Sequence, residues 1–173
     1  MTLRETILAS LVILLAPLTM YFAVRAVLPS LTVRVEPRSG TGWSQTFRFY
    51  VSSSQGAARV QELDICFGSR VAGPGNCRAE YNAPANVFVQ DDAGEQWIMG
   101  NLGKLPDVAN RQCAFHMLRS RARRISRDVL ELTLDVSFRE TYSGVRNIFA
   151  YAADGELITS WQYIGNWTVP ERR

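Results

Sequence analysis

One histidine, His116, and one lysine, Lys104, occur in 173 residues, and the chain has neither a Cys-x-x-Cys pair nor a Gly-x-Ser-x-Gly turn. Zinc sites draw on several His and Cys ligands, and serine hydrolases need a base aligned with a nucleophile, so both chemistries lack their usual signatures here. His116 sits in RQCAFHML, where strand alternation points it away from the face holding Cys113, and an ordinary surface histidine is expected. No metal and no cofactor is expected. The nineteen basic residues are arginine throughout except for Lys104, and they outnumber the acids only to a net charge of +3. So small an excess disfavours nucleic acid as a partner and leaves room for a local anionic one. Beyond the first thirty residues no stretch of ten or more keeps a helical period, which leaves strands as the material of the fold.

The first thirty residues are different in kind. Thr6 to Val24 is a run of nineteen residues without a charge, between Glu5 and Arg25, close to the roughly 20 that a membrane-spanning helix needs. A cleaved signal peptide is the alternative, but its apolar region is normally only about 7–15 residues long. Val24-Arg25-Ala26 is also a poor cleavage site. Length favours a retained N-terminal transmembrane helix, with the rest of the chain outside the cytoplasm. The opening Thr2-Leu3-Arg4-Glu5 also resembles the start of a mature type IV pilin, a surface-assembly subunit. Pilins carry their helix well past the membrane, whereas Pro29 and the alternating LTVRVEP end helical character near residue 30. The expected organisation is an anchor or signal segment over 1–29, one extracytoplasmic domain over 30–170 and a short tail at 171–173.

After Pro29 the period is two. Leu31, Val33 and Val35 alternate with Thr32, Arg34 and Glu36; Phe47, Phe49 and Val51 alternate with Thr46, Arg48 and Tyr50. In VQELDICF, Leu63, Ile65 and Phe67 share one face, which puts Glu62, Asp64 and Cys66 on the other and makes Cys66 the odd thiol. The clearest strand is Val129–Arg139, whose Leu130, Leu132, Leu134, Val136 and Phe138 predict one face in the core and one in water. RNIFAYA, an Asp154-Gly155 turn and SWQYIGNWTV follow. Seven to nine short strands turned by Gly, Pro, Asn and Asp predict an all-β, antiparallel, immunoglobulin-like β-sandwich.

Between Cys77 and Cys113 lie two short strands around a DDAG turn. If those cysteines are joined, they close a loop of about 37 residues, which is credited with roughly 3.5–4 kcal/mol of stabilisation. Such a bond would commit the domain to an oxidising compartment. Asp91 and Asp92 in that turn suggest calcium only faintly, since a tight hairpin uses the same residues.

The pieces EPRSGTGWSQTFRFYVSSSQG, LDICFGS, GNCRAEYN, QDDAGEQW, NRQC, LELTLDVSF and SGVRNIFAYAADGELITSWQYIGNWTVP, in this order, resemble a poorly characterised β-sandwich module of large bacterial secreted and surface proteins. The resemblance spans residues 36–170. It implies a non-enzymatic surface or interaction role, and it places Cys77 and Cys113 where that module keeps its two cysteines, in support of their pairing. Cys66 is extra. Trp161 and Trp167 occupy positions that the module fills with tryptophan, which implies structural roles for both, although exposed Trp97, Trp161, Tyr163 or Trp167 could also stack on sugars.

RSRARRISR departs from the module, which has a small Gly/Ser hairpin there. Arg119, Arg121, Arg123, Arg124 and Arg127 fall within nine positions. Guanidinium groups recognise phosphate and carboxylate bidentately, so a hairpin tip of this kind is a candidate site for anionic lipid, polysaccharide or an acidic protein partner. The plain alternative is a solvated loop partly neutralised by Asp128 and Glu131. Glu131 and Asp135 themselves lie about 13 Å apart along one strand, too far for paired-carboxylate catalysis.

Overall fold

Alternation of apolar and polar residues builds twelve strands in the computed structural model, which describes residues 28–171. They are β1 (Leu31–Glu36), β2 (Ser44–Ser53), β3 (Glu62–Gly68), β4 (Cys77–Asn82), β5 (Asn86–Gln90), β6 (Trp97–Asn101), β7 (Val108–Ala109), β8 (Cys113–Phe115), β9 (Arg121–Arg124), β10 (Val129–Phe138), β11 (Gly144–Ala153) and β12 (Gln162–Val169). The expected spanning helix over residues 6–24 lies outside the described residues. Among the described residues no helix is long and apolar enough to cross a membrane.

The strands form two antiparallel sheets. One runs β1-β2-β10-β8-β7, with β9 also paired to β10; the other runs β12-β11-β3-β4-β5-β6. The long β2 and β10 pair so that Phe49 faces Leu132 and Phe47 faces Leu134 across the ladder. Their inner side chains meet Leu63, Ile65 and Phe67 of β3 and Ile148, Ala150 and Ala152 of β11, all fully buried. Phe47 centres an aromatic cluster, 4.9 Å from the Phe67 ring and 5.3 Å edge-on from Trp167. Trp167 also donates its indole N–H to the Gly42 carbonyl at 2.8 Å, so the SGTG segment folds over the ring. A Cβ on Gly40 would collide with that ring, which is why glycine stands there.

Cys77 of β4 and Cys113 of β8 are bonded, with Cα atoms 5.7 Å apart. Because β4 and β8 belong to different sheets, the bond ties the sandwich across its core. Tyr142 supports it from the side: its buried hydroxyl donates to the Phe67 carbonyl and accepts from the Cys77 N–H. Burial pushes the Tyr142 phenol up to about 12, so it stays a donor.

Two expectations are corrected. The outer face of Val129–Phe138 is not simply in water, for Glu131 and Thr133 are buried. Strands β2 and β9 flank β10, and Tyr50, Arg48 and Arg123 sit opposite these residues and cover them. Cys66 is free, as expected, but its side of β3 is also closed: the thiol is buried and donates to the Arg70 carbonyl at 3.5 Å. Burial raises it to about 12, which leaves it unreactive in the folded state.

Candidate functional site

Strand pairing, not a free hairpin tip, determines where three of the five arginines go. Residues 121–124 add to the edge of β10, placing Arg121 opposite Thr133, Arg123 opposite Glu131 and Arg124 opposite Leu130. Alternation then sends Arg121 and Arg123 to the outer face, while Ala122 packs against the core and Arg124 shares its side. Arg123 Nε donates to Glu131 Oε1 at 2.7 Å, and this bond, against the effect of burial, holds the Glu131 carboxyl below its ordinary range. Arg119 is similarly bound to Asp135. Arg127 only faces Asp128 loosely, at 3.8 Å. Arg121 and Arg124 are exposed and have no ion-pair partner among the described residues. Asp135 and buried Glu131 thus engage Arg119 and Arg123, which leaves Arg121 exposed on the outer face, Arg124 exposed on the side of Ala122, and Arg127 exposed at the turn before β10. Arg124 borders a recess of about 290 Å³ at the end of the sandwich, lined also by Ala57, Val60, Tyr81 and Pro84.

The outer face of the second sheet holds a group that alternation reasoning missed. On β3 and β4, Asp64 pairs directly with Glu80, and Glu62 lies two residues along on the same side. One oxygen from each of Glu62, Asp64 and Glu80 lies within 4.8 Å of the others. Burial, then the neighbouring carboxylates, raises Glu62; burial raises Asp64 despite its bond to Arg78, whose Nη2 lies 2.8 Å from Asp64 Oδ2. Arg78 is held between the rings of Trp97 and Trp161, at 5.1 and 5.2 Å, a cation–π arrangement. Tyr151 and Trp161 lie beside each other, as do Phe149 and Tyr163. Trp161, expected to be structural, therefore belongs to an outer polar platform, whereas Trp167 is core. The signal was present in ELD on one strand and RAE on the next; what the sequence lacked was the register that sets Asp64 against Glu80.

His116 also departs from expectation. It is half-buried, with Nδ1 2.8 Å from Asp107 Oδ2 and Nε2 2.9 Å from Ser137 Oγ. An acid–imidazole–hydroxyl chain of this geometry matches the order of a hydrolytic triad. Its surroundings are less suited to that chemistry. Asp107 Oδ1 accepts the Met117 N–H, and the His116 N–H is bonded to the Asp135 carbonyl, so these two nearby backbone donors are not free for an oxyanion. Ser137 opens on a shallow polar depression with Ser44, Gln45 and Thr46 rather than on a deep cleft.

Asp91 acts as a turn residue, and Asp92 ties that turn to Arg111. Asp91 Oδ1 accepts the Glu95 N–H and Asp92 Oδ1 the Arg111 N–H, at 2.9 and 2.7 Å. No protein-family model matches the chain, and no curated protein matches it.

Proposed function

We propose that this chain is a membrane-anchored, extracytoplasmic, immunoglobulin-like β-sandwich that serves the bacterial envelope or cell surface as a non-catalytic binding or structural module. The observation that carries the reading is the buried Cys77–Cys113 bond across the two sheets, because structural disulfides of this kind persist where the surroundings are oxidising. The uncharged run from Thr6 to Val24 supplies a means of export and retention. Arg121, Arg124 and Arg127 are the part of the arginine cluster left to meet an anionic lipid, a polysaccharide or an acidic protein. The test is fractionation of cells producing the full chain, followed by protease added to the outer side of the membrane. The protein should sediment with membranes and its domain should be digested. Recovery of a soluble protein beginning near Val27 would refute the anchor.

A second reading, hydrolysis, is favoured by one observation, the Asp107–His116–Ser137 chain. A fluorophosphonate probe decides it: covalent labelling of wild type that is lost in Ser137→Ala would replace the non-catalytic reading.

A further inference from the structure

Like charges placed directly opposite on neighbouring strands destabilise a sheet, yet the β3–β4 register sets Asp64 against Glu80 with Glu62 alongside. Among the described residues Arg78 is the one cation bonded to this group, and it reaches only Asp64 Oδ2. The other oxygen, Asp64 Oδ1, is buried in a residue only 5% exposed and accepts no hydrogen bond among the described residues; Arg78 Nε is likewise buried without a partner, so the guanidinium is not turned to meet that oxygen. An orphaned carboxylate oxygen in such a place calls for a partner.

We propose that Glu62, Asp64 and Glu80 form a binding site for a Ca²⁺-sized divalent cation on the outer face of the second sheet. The three ligand oxygens lie within 4.8 Å of one another, a separation compatible with oxygens that share one cation bound at about 2.3–2.6 Å. Mg²⁺ demands near-octahedral order at about 2.0–2.1 Å and is usually held by only one or two carboxylates, so a set of three carboxylates suits Ca²⁺ better. The ligands are all hard oxygen donors, the class that selects Ca²⁺, Mg²⁺ or Mn²⁺ over zinc or copper. Three carboxylates and one guanidinium leave two negative charges, matched by one divalent ion. Asn82, whose amide donates to Glu80 Oε1 at 2.6 Å, orients that ligand from outside. Bound there, the ion would join β3 to β4 and give Asp64 Oδ1 its missing partner. The proposal does not depend on the compartment or anchoring of the chain.

Tb³⁺ has nearly the size of Ca²⁺ and emits when an excited aromatic side chain lies close, and Trp161 stands beside this group through Arg78 and Tyr151. The full chain in mild detergent is titrated with Tb³⁺ under excitation of tryptophan, then with Ca²⁺ and separately with Mg²⁺. Sensitised emission that Ca²⁺ displaces at lower concentration than Mg²⁺ is expected. Glu62→Gln and Glu80→Gln, at half-buried positions that tolerate a neutral isostere, should each weaken Tb³⁺ binding at least tenfold, whereas Glu156→Gln, in an exposed ion pair with Arg59, should leave it unchanged. Circular dichroism of each variant confirms its fold. Absence of emission in wild type, or equal emission in both site variants, overturns the site; displacement by Mg²⁺ as readily as by Ca²⁺ overturns the size assignment.

Discussion

Replacing both Cys77 and Cys113 by Ala removes the only disulfide among the described residues, and with it the cross-link between the two sheets. The two cysteines are separated by 36 positions. Freeing a loop of that length restores denatured-state entropy worth about 3.8 kcal/mol at 25 °C. Both side chains are fully buried in the core, so deleting two sulfur atoms adds a small cavity cost, on the order of 1 kcal/mol. The total, about 4–5 kcal/mol, is a large part of the ~5–15 kcal/mol that a domain commands. The segment 28–171, which holds both sheets and the core between them, is suited to the assay. Urea unfolding followed by tryptophan fluorescence should show a lower midpoint and a steeper slope, since the unbridged unfolded chain exposes more surface, and the melting temperature should drop by roughly 10–20 °C. Reduction of the wild type should reproduce most of the loss. A double variant destabilised by less than about 1 kcal/mol would show that the bond does not constrain the unfolded chain as argued.

Buried Asp154 joins the end of β2 to the β11–β12 turn, accepting from Ser53 Oγ at 2.6 Å and from the N–H groups of Glu156 and Leu157 at 3.1 and 2.8 Å. Asp154→Ala leaves the Ser53 hydroxyl proton and the two N–H groups without their acceptor, although Ser53 Oγ still accepts the Gln55 N–H, and should cost about 3 kcal/mol in chemical denaturation. Burial alone would raise the Asp154 carboxyl, but the Ser53 hydroxyl and the two N–H groups hold it below its ordinary value. Its contribution is therefore complete above the unfolded value of about 3.9 and lost as pH falls through the lower folded one. The difference between wild type and Asp154→Ala should be flat from pH 7 to about 5 and shrink only below about 4. Gly40→Ala forces a methyl group into the Trp167 ring and should cost about 1–3 kcal/mol, read as a lower melting temperature; an unchanged value would mean that the SGTG segment is free to shift. Binding of segment 28–171 to vesicles of anionic lipid should fall about 100-fold when Arg121, Arg124 and Arg127 become Ser, at about 1 kcal/mol for each arginine, and should weaken as salt shortens the Debye length. Equal binding by that triple variant would leave the cluster a solvated edge.

Period-two alternation sufficed for the long strands, because burial of one face is written directly into Leu31–Glu36, Ser44–Ser53, Val129–Phe138 and Gln162–Val169. It could not yield β7 and β9. The first is two residues long, and the second is RARR, whose charge reads as a loop until pairing with β10 supplies Glu131 as a counter-ion. The same limit hid the sites. Asp107, His116 and Ser137 are dispersed along the chain and meet only through folding, and Asp64 meets Glu80 through a register that depends on how β3 returns into β4. The cysteines were easier to place, since Cys77 and Cys113 alternate with buried Ala79 and Phe115 on their own strands.

The compartment is tested most directly by the redox state of the cysteines in living cells. Cells producing the full chain are quenched in acid, denatured and alkylated, and the protein is mapped by mass spectrometry without reductant. Cys77 and Cys113 should be recovered as one cross-linked pair, with alkylation at Cys66 alone, in the membrane fraction. Alkylation of all three thiols would place the chain in a reducing compartment and contradict the proposal that it works outside the cytoplasm.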